Sequence, residues 1–245
     1  MKRSGLVAAF HFAAGLAAAA PEPDCVVLLH GIGMRSYVLK RIEAALRADG
    51  YRTVNISYPS RELPFAQLVG EYIPAKLKRA DVARAPHLHF VTHSMGSLLV
   101  RKLIQDARPA NLGRVVMIGP PNHGSTAADQ ANESALLRKF LGGNLVRLGT
   151  GDDAIVRTLG PADFEVGIIA GKVPANPVFG RVLVGQNDGA VTVESARLEG
   201  MRDFLVVPYS HTLMLWRTAV VDQVRAFLRG GKFVHPEESA AAAKP

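Results

Sequence analysis

The stretch Thr92-His93-Ser94-Met95-Gly96 decides the fold, because it lies between two apolar runs of different period. Residues 88–91 before it form a continuous apolar run, as in a buried strand, and residues 97–104 after it follow helical spacing. A serine on a sharp strand-to-helix turn projects above the sheet, where a base can reach its hydroxyl. The pattern is G-x-S-x-G, with Thr92 where glycine is usual. We therefore predict that Ser94 is a nucleophile; the alternative is that it only caps the helix that follows.

Six short apolar runs are spaced along the chain and predict six strands. Most are continuous and rich in Val and Ile, which is typical of strands buried on both faces of a parallel sheet. Helical patterns separate most of them, so the sequence predicts an α/β fold: a mostly parallel central sheet of about six strands with helices on both faces. The predicted strands are residues 25–29, 53–58, 88–92, 114–119, 165–170 and 203–208. The predicted helices are residues 37–48, 65–79, 95–106 and 212–228.

Residues 125–164 form too long a connection between the fourth and fifth predicted strands to be a simple loop. Leucine and phenylalanine recur there at three- and four-residue spacing, interrupted by Gly142-Gly143. This pattern predicts either an ordinary packed helix or a cap with an apolar inner face over a ligand site, through which the protein could also touch a membrane. The recurring residues are Leu136, Leu137, Phe140, Leu141, Leu145 and Leu148.

The two ends of the chain differ from its middle. Lys2-Arg3 is followed by an apolar, alanine-rich run that ends in small residues, a layout typical of a signal peptide over residues 1–20. It predicts a periplasmic or secreted protein, with a cytoplasmic or a membrane-anchored protein as the alternatives. We expect residues 21–232 to form the folded domain and residues 233–245 a loose tail.

Composition narrows the choice of partners. The formal net charge is +8, but Lys and Arg are scattered along the chain and are not interleaved with aromatic residues. We therefore predict a solvated basic surface and no nucleic-acid partner. Cys25 is the only cysteine, so an intramolecular disulfide and a cysteine metal cluster are both excluded. The oligomeric state is left open.

A turn after the first predicted strand supplies candidate oxyanion donors. His30-Gly31-Ile32-Gly33 follows that strand directly, and its glycines allow the backbone to approach a reacting carbonyl closely. We assign the oxyanion hole to the backbone N–H groups of Ile32 and Met95. The alternative is a plain turn that only ends the strand.

Two later turns supply a candidate acid and a candidate base. Asp188 lies in a stretch rich in Gly and Asn after the fifth predicted strand, and His211 follows the sixth. The chain order Ser94, Asp188, His211 is the one that a serine hydrolase of this architecture requires. The alternatives are an Asx-type turn for Asp188 and a capping or core role for His211. Other acids and histidines are weaker candidates, and His93 is expected to point away from Ser94.

Together with the stretch from Pro120 to Ser125, these motifs resemble those of bacterial α/β-hydrolases of the lipase and esterase kind. The six-strand layout resembles the minimal form of that fold. The resemblance implies that Ser94 is the nucleophile, His211 the base and Asp188 the acid, with no metal and no organic cofactor. It also implies a small-molecule carboxylic ester as substrate, with a lipid-like or acyl part. An amidase, a thioesterase and a catalytically silent member that binds a lipid or a partner protein remain alternatives.

Overall fold

The computed structural model describes residues 22–175 and 183–235. Its six strands are β1 (Cys25–Leu29), β2 (Arg52–Ile56), β3 (Leu88–His93), β4 (Leu112–Ile118), β5 (Val166–Gly171) and β6 (Asp203–Val207). They form one sheet in the order β2-β1-β3-β4-β5-β6. Every neighbouring pair is parallel. The predicted signal peptide lies outside the described residues.

Helices connect these strands, as the alternating pattern predicts. The α-helices are α1 (Lys40–Ala48), α2 (Phe65–Gln67), α3 (Ile73–Arg79), α4 (Met95–Ala107), α5 (Thr126–Glu133), α6 (Ala135–Leu141), α7 (Val193–Ala196) and α8 (Thr218–Gly230). Short 3₁₀ turns cover Ser36–Leu39, Val82–Arg84, Gly143–Leu148, Ile155–Thr158 and Leu213–Trp216. In the described part of the chain, no helix has both the length and the apolar composition needed to cross a membrane.

Each face of the sheet carries its own helices. Val27 and Leu29 of β1 pack into a core with residues of α2, α3 and α4. Val26 and Leu28 face the other side and pack with residues of α1 and α8. Because successive strand residues point to opposite faces, this sheet is buried on both sides, which explains why its strands are continuously apolar. The predicted α/β fold is therefore confirmed.

The predicted helix over residues 65–79 is interrupted in its middle. A π-helical segment, Leu68–Tyr72, separates α2 from α3. Pro74 stands in the first turn of α3. Its ring would collide with the carbonyl of Gly70 in a regular α-helix, and it has no N–H to donate. The wider π turn relieves that collision while the chain continues in the same direction.

The loose tail was predicted to begin at residue 233, and this boundary is wrong. Phe233 is 2 % exposed, and its ring centroid lies 5.0 Å from that of Phe227 in α8. Its backbone N–H donates to the carboxylate of Asp203 at 2.7 Å, and Nε2 of His235 lies 2.9 Å from the same carboxylate. Residues 233–235 are therefore part of the folded domain, because an aromatic ring and a β6 carboxylate hold them. Residues 236–245 lie outside the described chain.

Candidate active site

Ser94 lies on the turn between β3 and α4, and its backbone is strained. Its φ is 52° and its ψ is −122°, a conformation that residues other than glycine rarely adopt. Gly96 makes the turn possible, because a Cβ there would lie 2.6 Å from the carbonyl oxygen of Leu29. The Ser94 side chain makes no capping hydrogen bond to α4, so the helix-capping alternative is wrong. This is the geometry of a nucleophile elbow.

Thr92 occupies the position in the motif where glycine is usual, and the fold accommodates its hydroxyl. Oγ1 of Thr92 lies 2.8 Å from Oγ of Ser97 and donates to the carbonyl of Val116 at 3.3 Å. Both hydroxyls are buried, so this pairing offsets the cost of removing them from water. No motif in the sequence marks Ser97, which is the small neighbour in α4 that Thr92 requires.

Asp188 and His211 meet at the carboxyl edge of the sheet. Oδ2 of Asp188 lies 2.8 Å from Nδ1 of His211. Oδ1 accepts the backbone N–H groups of Ala190, at 2.9 Å, and Val191, at 2.8 Å. Asp188 therefore is an Asx-type turn residue and also the partner of the histidine. Because an ionised carboxylate only accepts, Nδ1 of His211 carries the proton and Nε2 keeps the lone pair that a general base needs.

The end of β4 is shaped to let this pair approach. Gly119 has a φ of 57°, and a Cβ built on it would lie 3.1 Å from Nδ1 of His211 and 3.3 Å from Oδ2 of Asp188. A larger residue at this position would press on the hydrogen bond itself. Gly119 closed the predicted fourth strand, but no sequence signal distinguished it from an ordinary turn glycine.

Ser94 and His211 line the same cavity, whose volume is about 180 Å³. Its remaining walls come mainly from apolar residues of the loop after β1 and of the 125–164 segment. From that segment the cavity is lined by Ser125, Ala127, Ala128, Ala131, Leu141, Leu145 and Leu148, and Pro121 of the loop after β4 lies beside them. Part of this segment therefore lines the cavity that contains Ser94.

Only half of the predicted apolar series faces inward. Leu136 is 75 % exposed and Phe140 is 64 % exposed, and Leu137 also lies on the surface. Their neighbour Leu141, at the end of α6, lines the cavity. Leu141 is the only residue of α6 that lines the cavity, and no residue of this helix is buried, which a pattern of leucines alone does not predict.

The two proposed oxyanion donors belong to the turns after β1 and β3. Ile32 lines the cavity. Met95 is the first residue of α4, where N–H groups have no partner within the helix. Neither N–H donates to a backbone acceptor within the described residues. A Cβ at Gly31 would lie 3.1 Å from Cβ of Ser94, so this loop and the nucleophile turn are in close contact.

His93 was expected to point away from Ser94. It is fully buried, it is one of the residues that border the cavity, and its Nε2 lies 2.9 Å from the carbonyl oxygen of His211. Burial holds the pKa of His93 well below its usual value of 6.5. Burial also lowers the pKa of His30, which follows β1. Both rings are therefore neutral, and of these three histidines only His211 has a carboxylate partner.

A buried arginine missed by the sequence analysis holds the loop after β4. The guanidinium of Arg101, in α4, donates to the carbonyl and side-chain oxygens of Asn122, both at 3.1 Å, and to the carbonyl of Gly160 at 2.9 Å. Burial lowers the pKa of Arg101 to about 10, so it stays charged at neutral pH. Asn122 in turn donates to the carbonyl of Ala196 at 2.8 Å. These bonds explain why a polar residue stands among the prolines of that loop.

The weaker candidates lie away from the cavity. His123 is exposed, and its Nδ1 lies 3.4 Å from the carbonyl of Ser195. The aspartates between α6 and β5 are exposed, and two of them pair with arginines: Asp152 with Arg157 and Asp163 with Arg108. Among the described residues, no three His, Cys, Asp or Glu side chains are grouped to hold a metal ion.

Comparison with known proteins agrees with this architecture. Residues 26–242 match the model of the alpha/beta hydrolase family, so the chain belongs to that family. No curated protein matches its sequence.

Solved structures resemble the chain at low sequence identity. Mature Bacillus licheniformis lipase BlEst2 superposes with a TM-score of 0.68 at 21 % identity, over 88 % of this chain and 94 % of that one. Aspergillus fumigatus lipase B superposes with a TM-score of 0.65 at 15 % identity, over 88 % of this chain and 54 % of that one. The esterase RhEst1 of Rhodococcus sp. ECU1013 superposes with a TM-score of 0.56 at 16 % identity, over 85 % of this chain and 91 % of that one. At these identities the similarity establishes a shared fold.

Proposed function

We propose that this protein is a serine hydrolase that cleaves carboxylic esters with an apolar acyl part, using Ser94 as nucleophile, His211 as base and Asp188 as acid. The observation that carries the proposal is that a strained serine and a carboxylate-paired histidine line one apolar cavity. A serine held this way and an imidazole with a free Nε2 have the chemistry of an acyl-transfer site. That the solved relatives include lipases and an esterase is consistent with an ester substrate.

The first half of the reaction forms an acyl-enzyme. Oγ of Ser94 attacks the ester carbonyl carbon while Nε2 of His211 takes the hydroxyl proton. The carbonyl oxygen becomes an oxyanion, which the N–H groups of Ile32 and Met95 stabilise. As the tetrahedral intermediate collapses, the C–O bond to the alcohol breaks, and His211 gives its proton to the leaving oxygen.

The second half releases the acid and restores the enzyme. Water enters, His211 takes one of its protons, and the resulting nucleophile attacks the acyl carbon. The bond to Oγ of Ser94 then breaks, and the serine recovers its proton from His211. Asp188 stays ionised throughout, because its role is to hold the protonated Nδ1 and to stabilise the imidazolium.

The cavity sets the expected substrate class. Its volume of about 180 Å³ and its wall of cap leucines favour a short or medium apolar acyl chain over a polar one. The exposed Leu136 and Phe140 on the outer face of α6 support our expectation that the cap can contact a lipid surface. We propose a periplasmic or secreted location from the signal-peptide pattern; mass spectrometry of the native N-terminus tests it, and a chain that begins near Pro21 is the expected result.

Kinetics of Ser94→Ala on p-nitrophenyl esters test the proposed function. Hydrolysis should fall roughly 10³-fold or more, because the covalent route is removed. Ser125→Ala is the matched control: Ser125 lines the same cavity, but its hydroxyl donates to the carbonyl of Ala190 at 2.6 Å, so activity should survive. Unchanged turnover in a folded Ser94→Ala protein would refute the proposal. If the protein cleaves an anilide or a thioester faster than the matching ester, it is an amidase or a thioesterase.

A further inference from the structure

A buried hydrogen bond joins the strand that carries the nucleophile to the loop that carries the base. His93 is the last residue of β3, it is fully buried, and its Nε2 lies 2.9 Å from the carbonyl oxygen of His211. A carbonyl oxygen only accepts, so Nε2 of His93 carries the proton and donates it. The bond spans 118 residues of sequence. It therefore ties β3 directly to the turn after β6.

Nδ1, the other ring nitrogen of His93, makes no comparable hydrogen bond to the described residues. With the proton on Nε2, Nδ1 is an acceptor, and it is buried with no hydrogen-bond partner among the described residues. A buried acceptor without a partner is costly, and an apolar side chain would avoid that cost. A Cβ at Gly31 would lie 2.9 Å from this atom, so the loop after β1 is also shaped around the ring. These features indicate that the imidazole is kept for what its Nε2 does.

His93 completes the restraint of the base. The backbone N–H of His211 donates to the carbonyl of Asp188 at 3.0 Å, and its Nδ1 lies 2.8 Å from Oδ2 of the same residue. His93 holds the remaining backbone group, the carbonyl, and its ring centroid lies 4.6 Å from that of His211. We propose that His93 is a positioning residue: its Nε2–H bond to the His211 carbonyl fixes the imidazole in the orientation that reaches Ser94.

The charge state of the ring suits this role. Burial keeps the pKa of His93 well below its usual value, and the neighbouring His211 lowers it further. A neutral donor can therefore stay beside His211 while that ring becomes an imidazolium during the reaction. A lysine or arginine could also donate to the carbonyl, but its charge would oppose that step.

Two isosteric substitutions separate the donor from the ring. The side-chain nitrogen of glutamine can take the place of Nε2, whereas the shorter asparagine side chain ends near the place of Nδ1. We expect His93→Asn to lower kcat roughly tenfold to hundredfold with KM unchanged, because a small misplacement of the base is costly. His93→Gln should keep kcat close to the wild-type value. If His93→Asn does not fold, His93→Phe replaces it, since the phenyl ring fills the site without donating.

His89→Asn is the matched control. His89 lies on the same strand and is 4 % exposed, but its Nδ1 accepts the backbone N–H of Arg114 at 2.8 Å and it does not line the catalytic cavity. It should leave kcat unchanged. Wild-type kcat in folded His93→Asn, or a loss in His93→Gln as large as in His93→Asn, overturns the inference.

A second readout separates this inference from the proposed function, on which the role of His211 as base rests. The Nδ1 proton of His211, shared with Asp188, should give a low-field proton resonance. We expect His93→Asn to shift or broaden it and His89→Asn and His93→Gln to leave it in place. If the wild-type enzyme cleaves no ester but these shifts occur, the proposed function fails and the positioning role stands. An unmoved resonance in His93→Asn contradicts the positioning role whatever the activity.

Discussion

An aspartate–histidine pair lies at each end of the parallel strands, but the two pairs differ in burial and in their neighbours. At the carboxyl edge, Asp188 and His211 lie 2.8 Å apart; at the amino edge, Asp24 and His87 lie 3.0 Å apart. The side chains of the first pair are 1 % and 15 % exposed, and those of the second are 33 % and 62 % exposed. An aspartate–histidine pair by itself therefore does not mark an active site. Its burial and its neighbours decide what it can do.

The size of a cavity does not mark an active site either. The cleft at the amino edge has a volume of about 690 Å³, far larger than the catalytic cavity, and it is lined by charged groups such as Arg108, Arg114 and Glu165. The smaller cavity is mainly apolar and is bordered by Ser94 on its strained turn. In the described part of the chain, Ser94, the Asp188–His211 pair and the turn that contains Ile32 meet at the carboxyl edge. They meet there because the strands of a parallel sheet all lead into their following turns at that edge.

The sharpest test of this contrast is to remove each carboxylate in turn. Asp188→Asn should lower kcat roughly 10³-fold to 10⁴-fold, because an amide at this position favours the wrong tautomer of His211. Asp24→Asn, at the amino edge, should leave kcat unchanged. Steady-state kinetics of both variants on one ester decide the point. Equal effects of the two substitutions would mean that the carboxyl edge has no special role.

The same contrast explains which parts of the site the sequence could predict. Ser94, Asp188 and His211 follow predicted strands in a fixed chain order, so pattern and order were enough to propose them without coordinates. The partner of His93 could not be predicted, because its hydrogen bond crosses from β3 to the turn after β6. The close approach of Gly119 to Asp188 and His211 depends on how neighbouring strands align, which a one-dimensional pattern does not contain.

The cap offers a second comparison, between two adjacent residues of one helix. Leu141 lines the catalytic cavity, whereas Phe140 is 64 % exposed. Leu141→Ala should shift the ratio of kcat/KM for octanoyl over butanoyl esters about tenfold, since a few methylene groups in an apolar pocket have effects of this size. Phe140→Ala should leave the ratio for soluble esters unchanged. If both substitutions change the ratio equally, α6 influences the site through its stability alone.

The smallest expected effect is on stability, at the amino edge. Asp49 bonds both Arg225 and Arg229 of α8, and the hydrogen bond from Arg225 is the main reason that the pKa of Asp49 falls from 3.8 to about 2. A carboxyl whose pKa is lowered in the folded state stabilises the protein above its unfolded pKa, and this contribution is lost as the pH falls from about 4 towards 2.

Asp49→Asn should therefore lower the free energy of unfolding at pH 7 by about 1 kcal/mol, after allowance for solvent screening. The difference from wild type should vanish near pH 2, and kcat at pH 7 should not change. Urea unfolding across this pH range measures the effect. If the free energies of unfolding of wild type and Asp49→Asn differ equally at pH 7 and near pH 2, the effect comes from packing and not from the charge of Asp49.

The most direct test of the central claim is to locate the reactive serine. We would treat the wild-type protein with a fluorophosphonate probe and map the modified peptide by mass spectrometry. We expect a single covalent adduct, on Oγ of Ser94, that forms much more slowly in Asp188→Asn than in Asp24→Asn. An adduct on Ser125, which shares the cavity, or no adduct on a folded protein would contradict it.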